Sequence, residues 1–540
     1  MPGEGKSSDR ISHGFNGGAA DFLQRSAADS QNQWARRPCG TALAGMMAIL
    51  LAGCAATPPP DATGLADVGE VPDAFAKKQG AIGEETGSDR KSAALPLADH
   101  EWVAKFGDAQ LESLVAEGLE RNKDLKIAAA RVETAAANTR IAGADLYPQM
   151  QGLFRGSRQK RSFIGFPIGG SAEPDAAGGS PGESTSSSSI LSSQNNEFGL
   201  SLDLSWEIDL WGRIRAGRGA FLADQQATEA DRAAAELSIA GRVAKAWFAL
   251  REAKEQTVLA EKTVLVFQNT EKAVRDRFEA GVAEAGQNLA SQLRLAVVDI
   301  EMARENLEGR RESVKQASRA IEALLGRYPA AAIDAKGGLP KVPGAPPAGM
   351  PGDLLDRRPD LRAAERRLAA ADRRLVEAKR ALLPAISISG SAGTATEQIE
   401  DLLDSNFSIW SLAGNAAQPI LNGGRLREGI VLRKADIGRA AAEFEKTALT
   451  AFGEVENALS NESSLAKREA SLRAAALAAK EAYGSAGEEF AAGTGDLLTM
   501  LTAQNRWFQQ EQRLISMRRQ RLDNRVDLHL ALGGSSKVVR

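Results

Sequence analysis

Between Glu197 and Arg215 the chain reads EFGLSLDLSWEIDLWGRIR, and its period changes partway along. Phe198, Leu200, Leu202, Leu204, Trp206, Ile208 and Leu210 occupy one side of a two-residue alternation; Glu197, Gly199, Ser201, Asp203, Ser205, Glu207 and Asp209 occupy the other. Successive side chains of a strand point to opposite faces, so the pattern predicts a strand with one apolar and one wet face. It is long for a soluble strand but suits a tilted strand crossing a bilayer, which needs about 9–11 residues. Past Gly212 the alternation gives way to a helical pattern with few breakers, running to about Phe278. At about 1.5 Å per residue such a helix spans roughly 100 Å, beyond the diameter of an ordinary compact domain.

The same plan occurs twice. Residues Trp102 to Leu146 carry amphipathic spacing, with a break allowed near Gly118 and Asn122, and end at Tyr147-Pro148. An extended piece from Gln149 to about Gln159, a Gly/Ser/Pro loop over 165–193, the returning strand and the long helix follow. Phe278-Glu279-Ala280-Gly281 interrupts that helix, a second runs from about Gln287 to Leu325, and Gly326-Arg327-Tyr328-Pro329 stops it. In the second half, residues 353–383 are mostly helical and end at Pro384, and Ile386 and Ile388 alternate with Ser387 and Ser389. A returning strand covers Asn406 to about Gln418. Pro419 to Arg425 opens another long helix, which ends at Glu489-Phe490-Ala491-Ala492-Gly493, and a last helix spans about Gly495 to Leu532. We therefore divide the chain into a first repeat over 97–328, a connector over 329–352, a second repeat over 353–534 and a tail over 535–540.

Four strands per chain cannot close a membrane barrel, which takes about eight at the least, and open sheet edges are not tolerated in lipid. Other subunits must complete the sheet, and three copies supply twelve strands. The expected fold class is mainly α with membrane β: long antiparallel coiled-coil helices plus four strands per chain, forming a trimeric 12-stranded β-barrel and an α-helical tunnel. Aromatic residues at only 5% alongside abundant alanine and charge agree with long helices rather than a globular α/β domain.

The N-terminal region carries an address. Arg36 and Arg37 precede an apolar run from Thr41 to Leu51, too short to remain as a spanning helix, and the run ends in Leu51-Ala52-Gly53-Cys54. That string resembles the bacterial lipobox, which implies that residues 1–53 are removed as a signal, with 1–33 an over-long start, and that Cys54 carries diacylglycerol and an N-acyl chain. Ala55 rather than aspartate after the cysteine implies sorting to the outer membrane. Residues 54–96 read as a tether between this anchor and the first folded element.

Other chemistry is thin. A net charge of −3 leaves no basic footprint for nucleic acid. The two cysteines, Cys39 and Cys54, form neither a disulfide framework nor a zinc ribbon. Gly3-Glu4-Gly5-Lys6-Ser7 has the tail of a phosphate-binding loop without its first glycine or a preceding strand. His13, His100 and His529 are isolated in sequence, so neither a catalytic nor a metal motif is visible. Arg357, Arg358, Asp360 and Glu365 read as solvated helix faces and inter-helix ion pairs.

Three strings carry a resemblance: Trp206-Glu207-Ile208-Asp209-Leu210-Trp211-Gly212-Arg213, Leu355-Asp356-Arg357-Arg358-Pro359-Asp360-Leu361 with Ala364-Glu365, and Pro419 to Gly424. With the C-terminal Phe490, Gly493, Leu498 and Ala503-Gln504, they resemble the TolC-like outer-membrane efflux channels over residues 96–534, specifically the lipoprotein branch that works with resistance-nodulation-division pumps. The resemblance implies a homotrimer, a barrel in the outer-membrane lipid and a periplasmic tunnel. It also implies a periplasmic adaptor protein, an inner-membrane resistance-nodulation-division pump and no cofactor beyond the lipid on Cys54. Trp206, Trp211, Gly212 and Arg213 in one half, and Pro419, Gly423 and Gly424 in the other, fall at the barrel–tunnel junction. At the periplasmic gate, Leu498 falls where the family commonly has a constricting leucine, Thr502 where an aspartate is common and Asn505 where an arginine often stands, with Asp496 nearby. Leu498 and Thr502 are also readable, less favourably, as ordinary inter-helix packing. Two other functions stay open: a duct of the same build for a type I secretion system, and a periplasmic coiled-coil lipoprotein scaffold without a pore. Replacing Cys54 with Ala should abolish metabolic palmitate labelling and leave uncleaved precursor; labelling that persists in the variant would overturn the lipobox reading.

Overall fold

The computed structural model describes residues 100–163, 191–279, 289–347, 349 and 351–534. Cys54, the expected tether, and residues 164–190 and 280–288 lie outside the described residues. The chain opens with α1 (Glu101–Ala104), α2 (Ala109–Arg121) and α3 (Lys123–Ala144), then β1 (Gln149–Phe163) and β2 (Leu191–Ile208). α4 (Arg213–Glu279) and α5 (Leu289–Leu324) follow. The second half repeats the order with α6 (Asp353–Arg357), α7 (Pro359–Arg380), β3 (Ala385–Thr396), β4 (Ser408–Ala417), α8 (Arg425–Ala492) and α9 (Leu497–Ala531).

Breaks fall where side chains can take over backbone hydrogen bonds. Asn122 separates α2 from α3: its Oδ1 accepts from Asp124 N at 2.8 Å and Leu125 N at 3.3 Å, while its Nδ2 donates to Leu324 O at 2.7 Å. Asp108 caps α2 through Gln110 N and Leu111 N, and its other oxygen takes Trp247 Nε1 at 2.8 Å and the Arg251 guanidinium at 2.9 Å. A buried carboxylate satisfied from four sides fixes the short helices onto α4. The single helix expected over 353–383 is in fact two, because Pro359 stands at the first turn of α7 and holds Arg358 in an extended conformation.

The four strands form one antiparallel sheet in the order β1-β2-β3-β4. β1 and β2 both exceed their expected lengths: pairing continues from Phe198 opposite Gly156 out to Leu191 opposite Phe163. Residues Leu191–Asn196 lack the alternation that revealed the rest, since a hydrogen-bond ladder needs only extended backbone. The register places Met150, Phe154, Leu200, Leu202 and Leu204 on the face that also carries Ile388, Ala392, Trp410 and Leu412. Gln151, Asp203, Ser391 and Ser411 share the opposite face, where the Ser391 hydroxyl donates to Asp203 Oδ1 at 2.7 Å.

The helices pack around α4. The largest core cluster joins Trp102 and Phe106, Leu111, Trp247 and Phe248, Ile321 and Leu325, and Phe508, Leu522 and Val526. Each such side chain contributes about 1.5–3 kcal/mol by leaving water. Nearer the sheet the core is built from alanine: Ala223 on α4 meets Ala369 and Ala370 on α7, all essentially fully buried. A second cluster joins α6 and α7 to α8 and α9 through Leu354, Leu361, Val455, Leu459 and Leu528. Arg358 crosses it, chelating Asp360 at 2.7 and 3.0 Å and donating to Glu454 at 2.7 Å and Ala531 O at 3.1 Å. It is buried, so the ion-pair part of its expected role holds and the solvated-face part does not. His529 is buried and stacked on Trp102 at 5.6 Å, and burial, with Lys105 and Arg525 adding to it, lowers its pKa to about 3.

Asp523 is a second titrating group that this packing strains, in the opposite direction. Burial lifts its pKa to about 6 against the pull of Arg519 and Lys245, with Asp527 and Glu252 adding to the rise. A carboxyl whose folded pKa stands above its unfolded one costs stability as pH climbs from about 4 through 6, and the cost is fully present at pH 7. Asp523→Asn should therefore flatten the dependence of thermal stability between pH 5 and pH 7, a window in which acidification favours the wild-type fold at this site. Unchanged melting profiles for the two proteins would count against that burial penalty.

Candidate functional site

Where β2 becomes α4, one carboxylate organises the turn. Asp209 accepts from Ile214 N at 3.1 Å and Arg215 N at 2.8 Å, so it covers the bare amides at the start of α4, and Arg215 binds the same carboxylate at 3.2 Å. Arg213 donates to both oxygens of Glu207, at 2.8 and 2.9 Å. Gly212 adopts φ +77°, and a Cβ there would stand 2.8 Å from the Arg380 guanidinium, which donates to Gly212 O at 2.7 Å. The two tryptophans tie strands to helix ends: Trp206 Nε1 donates to Leu146 O at 3.0 Å and Trp211 Nε1 to Pro384 O at 2.8 Å. The junction thus brings Trp206, Trp211, Gly212 and Arg213 together and adds three residues that sequence reasoning passed over: Glu207, Asp209 and Arg380. The first two lay in the quoted motif but had been counted only as the wet side of the strand.

The matching turn in the second half is built differently. Gly423 and Gly424 take φ +61° and +83° with open space where a Cβ would project, and Ile420 and Leu421 are each 93% exposed. Gln418 Nε2 donates to Leu382 O at 2.8 Å; Pro419 follows without a comparable brace among the described residues. α8 then runs from Arg425 to Arg439 without a buried residue, whereas α4 buries Ile214 and Ala216 within its first turn.

At the far end of the helices, Gly493 at φ +80° closes α8, with Thr494 N and Gly495 N both donating to Glu489 O at 3.0 Å. Asp496 caps α9 by accepting from Thr499 N at 3.2 Å. Arg277 from α4 lies over the Phe490 ring at 3.9 Å and donates to the Phe490 carbonyl, a tie that sequence reasoning did not find. Leu497, Met500 and Leu501 are buried against Phe490, Val274 and Ile300. Leu498, Thr502 and Asn505 follow the spacing of one helical face and are all exposed, Leu498 at 66%. Asp496 sits at the head of that face as the cap.

A family model described as Outer membrane efflux protein matches residues 114–327 and again 350–534. The chain belongs to the outer membrane efflux protein family. Among curated relatives, this efflux protein is 31% identical to outer membrane protein OprJ of Pseudomonas aeruginosa over 83% of its own length and 88% of the relative's. It is 29% identical to the antibiotic efflux pump outer membrane protein ArpC of Pseudomonas putida over 90% of its length and 94% of the relative's. The solved outer-membrane channel OprN superposes with a TM-score of 0.71 at 26% identity, covering 84% of this chain and 99% of that one. The efflux protein is thus an outer-membrane channel of an efflux pump and has no enzymatic role, which sets aside the scaffold without a pore.

Proposed function

We propose that three copies of this chain form a lipid-anchored exit duct through which a partner pump expels small molecules across the outer membrane. The observation that carries the reading is the pair of unsatisfied edges on one protomer. Among the described residues β1 and β4 each lack a neighbour on one side, and the margins beside them are apolar: Met150 and Phe154 on one edge are 68% and 56% exposed, and Trp410 and Leu412 on the other are 78% and 68% exposed. Head-to-tail contact of unlike edges generates a closed ring, and closure satisfies the backbone groups that hydrocarbon cannot. The bare N-terminal stretch of α8 and the α3 side, where Ile127 and Ile141 are exposed, would meet in the same contact. The apolar sheet face then contacts lipid and the polar face lines the lumen. Cys54 anchors the chain; a periplasmic adaptor grips the helical end and couples it to a resistance-nodulation-division pump, which supplies energy and selects cargo. The antibiotic efflux named for the relative ArpC supports drugs as one cargo class.

Leu498, Thr502 and Asn505 form the gate in this reading, closing the tip by apolar packing and neutral hydrogen bonds worth on the order of 1 kcal/mol each. Placing Arg at Leu202 should cost about 2–4 kcal/mol if that site faces the bilayer midplane and should abolish heat-resistant trimer on a gel, whereas Ser201→Arg should spare it; equal damage from both would overturn the barrel. In planar bilayers, Leu498→Ala should raise single-channel conductance, and Thr502→Asp should increase cation preference and sensitivity to trivalent block. Unaltered conductance and selectivity in the two variants would remove this face of α9 from the pore.

A further inference from the structure

Arg310 on α5, Lys467 and Arg468 on α8, and Arg513 on α9 converge on one cleft of about 710 Å³. None of the four has an ion-pair or hydrogen-bond partner among the described residues. The carboxylates closest along the chain are committed elsewhere: Glu308 to Arg311, Glu312 to Lys315 and Arg319, Glu469 to Arg473 and Arg521, Glu462 to Arg521 and Arg525, and Glu511 to Trp507 Nε1. Cations scattered along a long helix are usually solvated or paired with a neighbour one turn away. Four drawn from three helices to one concavity, with the local acids withdrawn, leave a concentrated positive field. Leu472 and Met517 give the cleft an apolar wall. Its lining also includes Gln256, only 4% exposed, whose Nε2 donates to Gln512 O at 2.9 Å while its Oε1 has no partner.

We propose that this cleft is a binding site for a small organic anion, a carboxylate or sulfonate carried on an apolar ring body, and that it opens on the lumen of the duct. The volume suits such a molecule, since ligand sites commonly enclose about 300–1,000 Å³. A carboxylate or sulfonate supplies the counter-charge the four cations lack, and the ring body packs on Leu472 and Met517. The placement on the lumen rests on the exit-duct reading above. On α9 the face bearing Leu498, Thr502 and Asn505 continues through Gln509 to Arg513 and Ser516, so gate and cleft share one line, roughly 22 Å apart along the helix. Three copies would set twelve cations about a common axis above a tip without an acidic ring, and rings of Lys and Arg favour anions in pores.

The test uses the full-length protein in detergent and naphthalene-1,5-disulfonate, with a naphthalene-bearing quaternary ammonium as comparator, read by titration calorimetry. The wild type should bind the disulfonate saturably and the ammonium not at all. Lys467→Gln with Arg513→Gln should weaken binding by about tenfold or more for each cation removed, while Lys467→Arg alone should retain it. Heat-resistant assembly of each variant on a gel separates a lost site from a lost fold. Equal affinity in wild type and double variant, or equal binding of the ammonium, overturns the site. In planar bilayers, disulfonate added from the helical end should reduce current through the wild type and not the double variant; binding without any effect on current overturns the lumenal placement. If neither protein conducts, the exit-duct reading fails instead, and calorimetry still decides whether the cleft binds anions.

Discussion

A strand at the edge of a sheet leaves a row of N–H and C=O groups with nowhere to go, and in hydrocarbon each of them costs several kcal/mol. The sheet of this efflux protein has two such edges, β1 and β4, and in a membrane no rearrangement inside one protomer satisfies both. Much else follows from that constraint. The strands must stay antiparallel and in register so that the apolar face remains continuous across all four, because a slip of one residue would turn every side chain over. The loops joining them must leave the outer strands free for neighbours, and the helices must leave the sheet at a fixed angle.

That angle is set by a polar cluster at the point where the period of the chain changes. Asp209 serves α4 as a cap, Arg213 is clamped to Glu207, and Arg380 reaches from α7 to the carbonyl of Gly212. Trp206 and Trp211 add two hydrogen bonds from indoles to carbonyls at the ends of α3 and α7. At the opposite pole of the molecule an equally local device, the Gly493 turn with its Asp496 cap and the Arg277 contact to Phe490, reverses the chain. Between them, long stretches of α4 and α9 are held by ordinary core packing and by buried ion pairs such as Arg525 with Glu462.

How much of this was legible in the sequence depends on whether a residue's role is local. Periodicity exposed the central part of β2 and the long helices because each residue there repeats the same environment at a fixed interval. Pro148, Pro384 and Gly493 marked ends because their backbone restrictions act wherever they stand. The outer ends of β1 and β2 were missed, since Lys160 to Ser162 and Ser192 to Asn196 are polar on both faces and pair through the backbone. The break before Pro359 was passed over although the proline was in view, because the alanine- and arginine-rich pattern continued on both sides. Arg380 and Arg277 could not be assigned, for each acts on a carbonyl more than a hundred residues away. Arg358 looked like a surface charge until α8 and α9 were folded over it. The proposed gate positions rest on family resemblance, and the basic cleft, assembled from three helices, has no signature in any one segment.

The contrast between the two junctions has a consequence for biogenesis. The first is braced within one protomer by Asp209, Glu207, Arg380 and the two indoles. The second presents Ile420 and Leu421 almost bare and rests on two left-handed glycines with open space around them. In the trimer proposed above, a neighbouring subunit supplies the contacts that cover this segment, so its maturation depends on protein concentration. On that reading, a newly exported chain can complete the first junction alone, while the second waits for partners. That places a checkpoint on insertion: a sheet whose last turn is unfinished is poorly suited to entering lipid singly, and the membrane is spared isolated, leaky protomers.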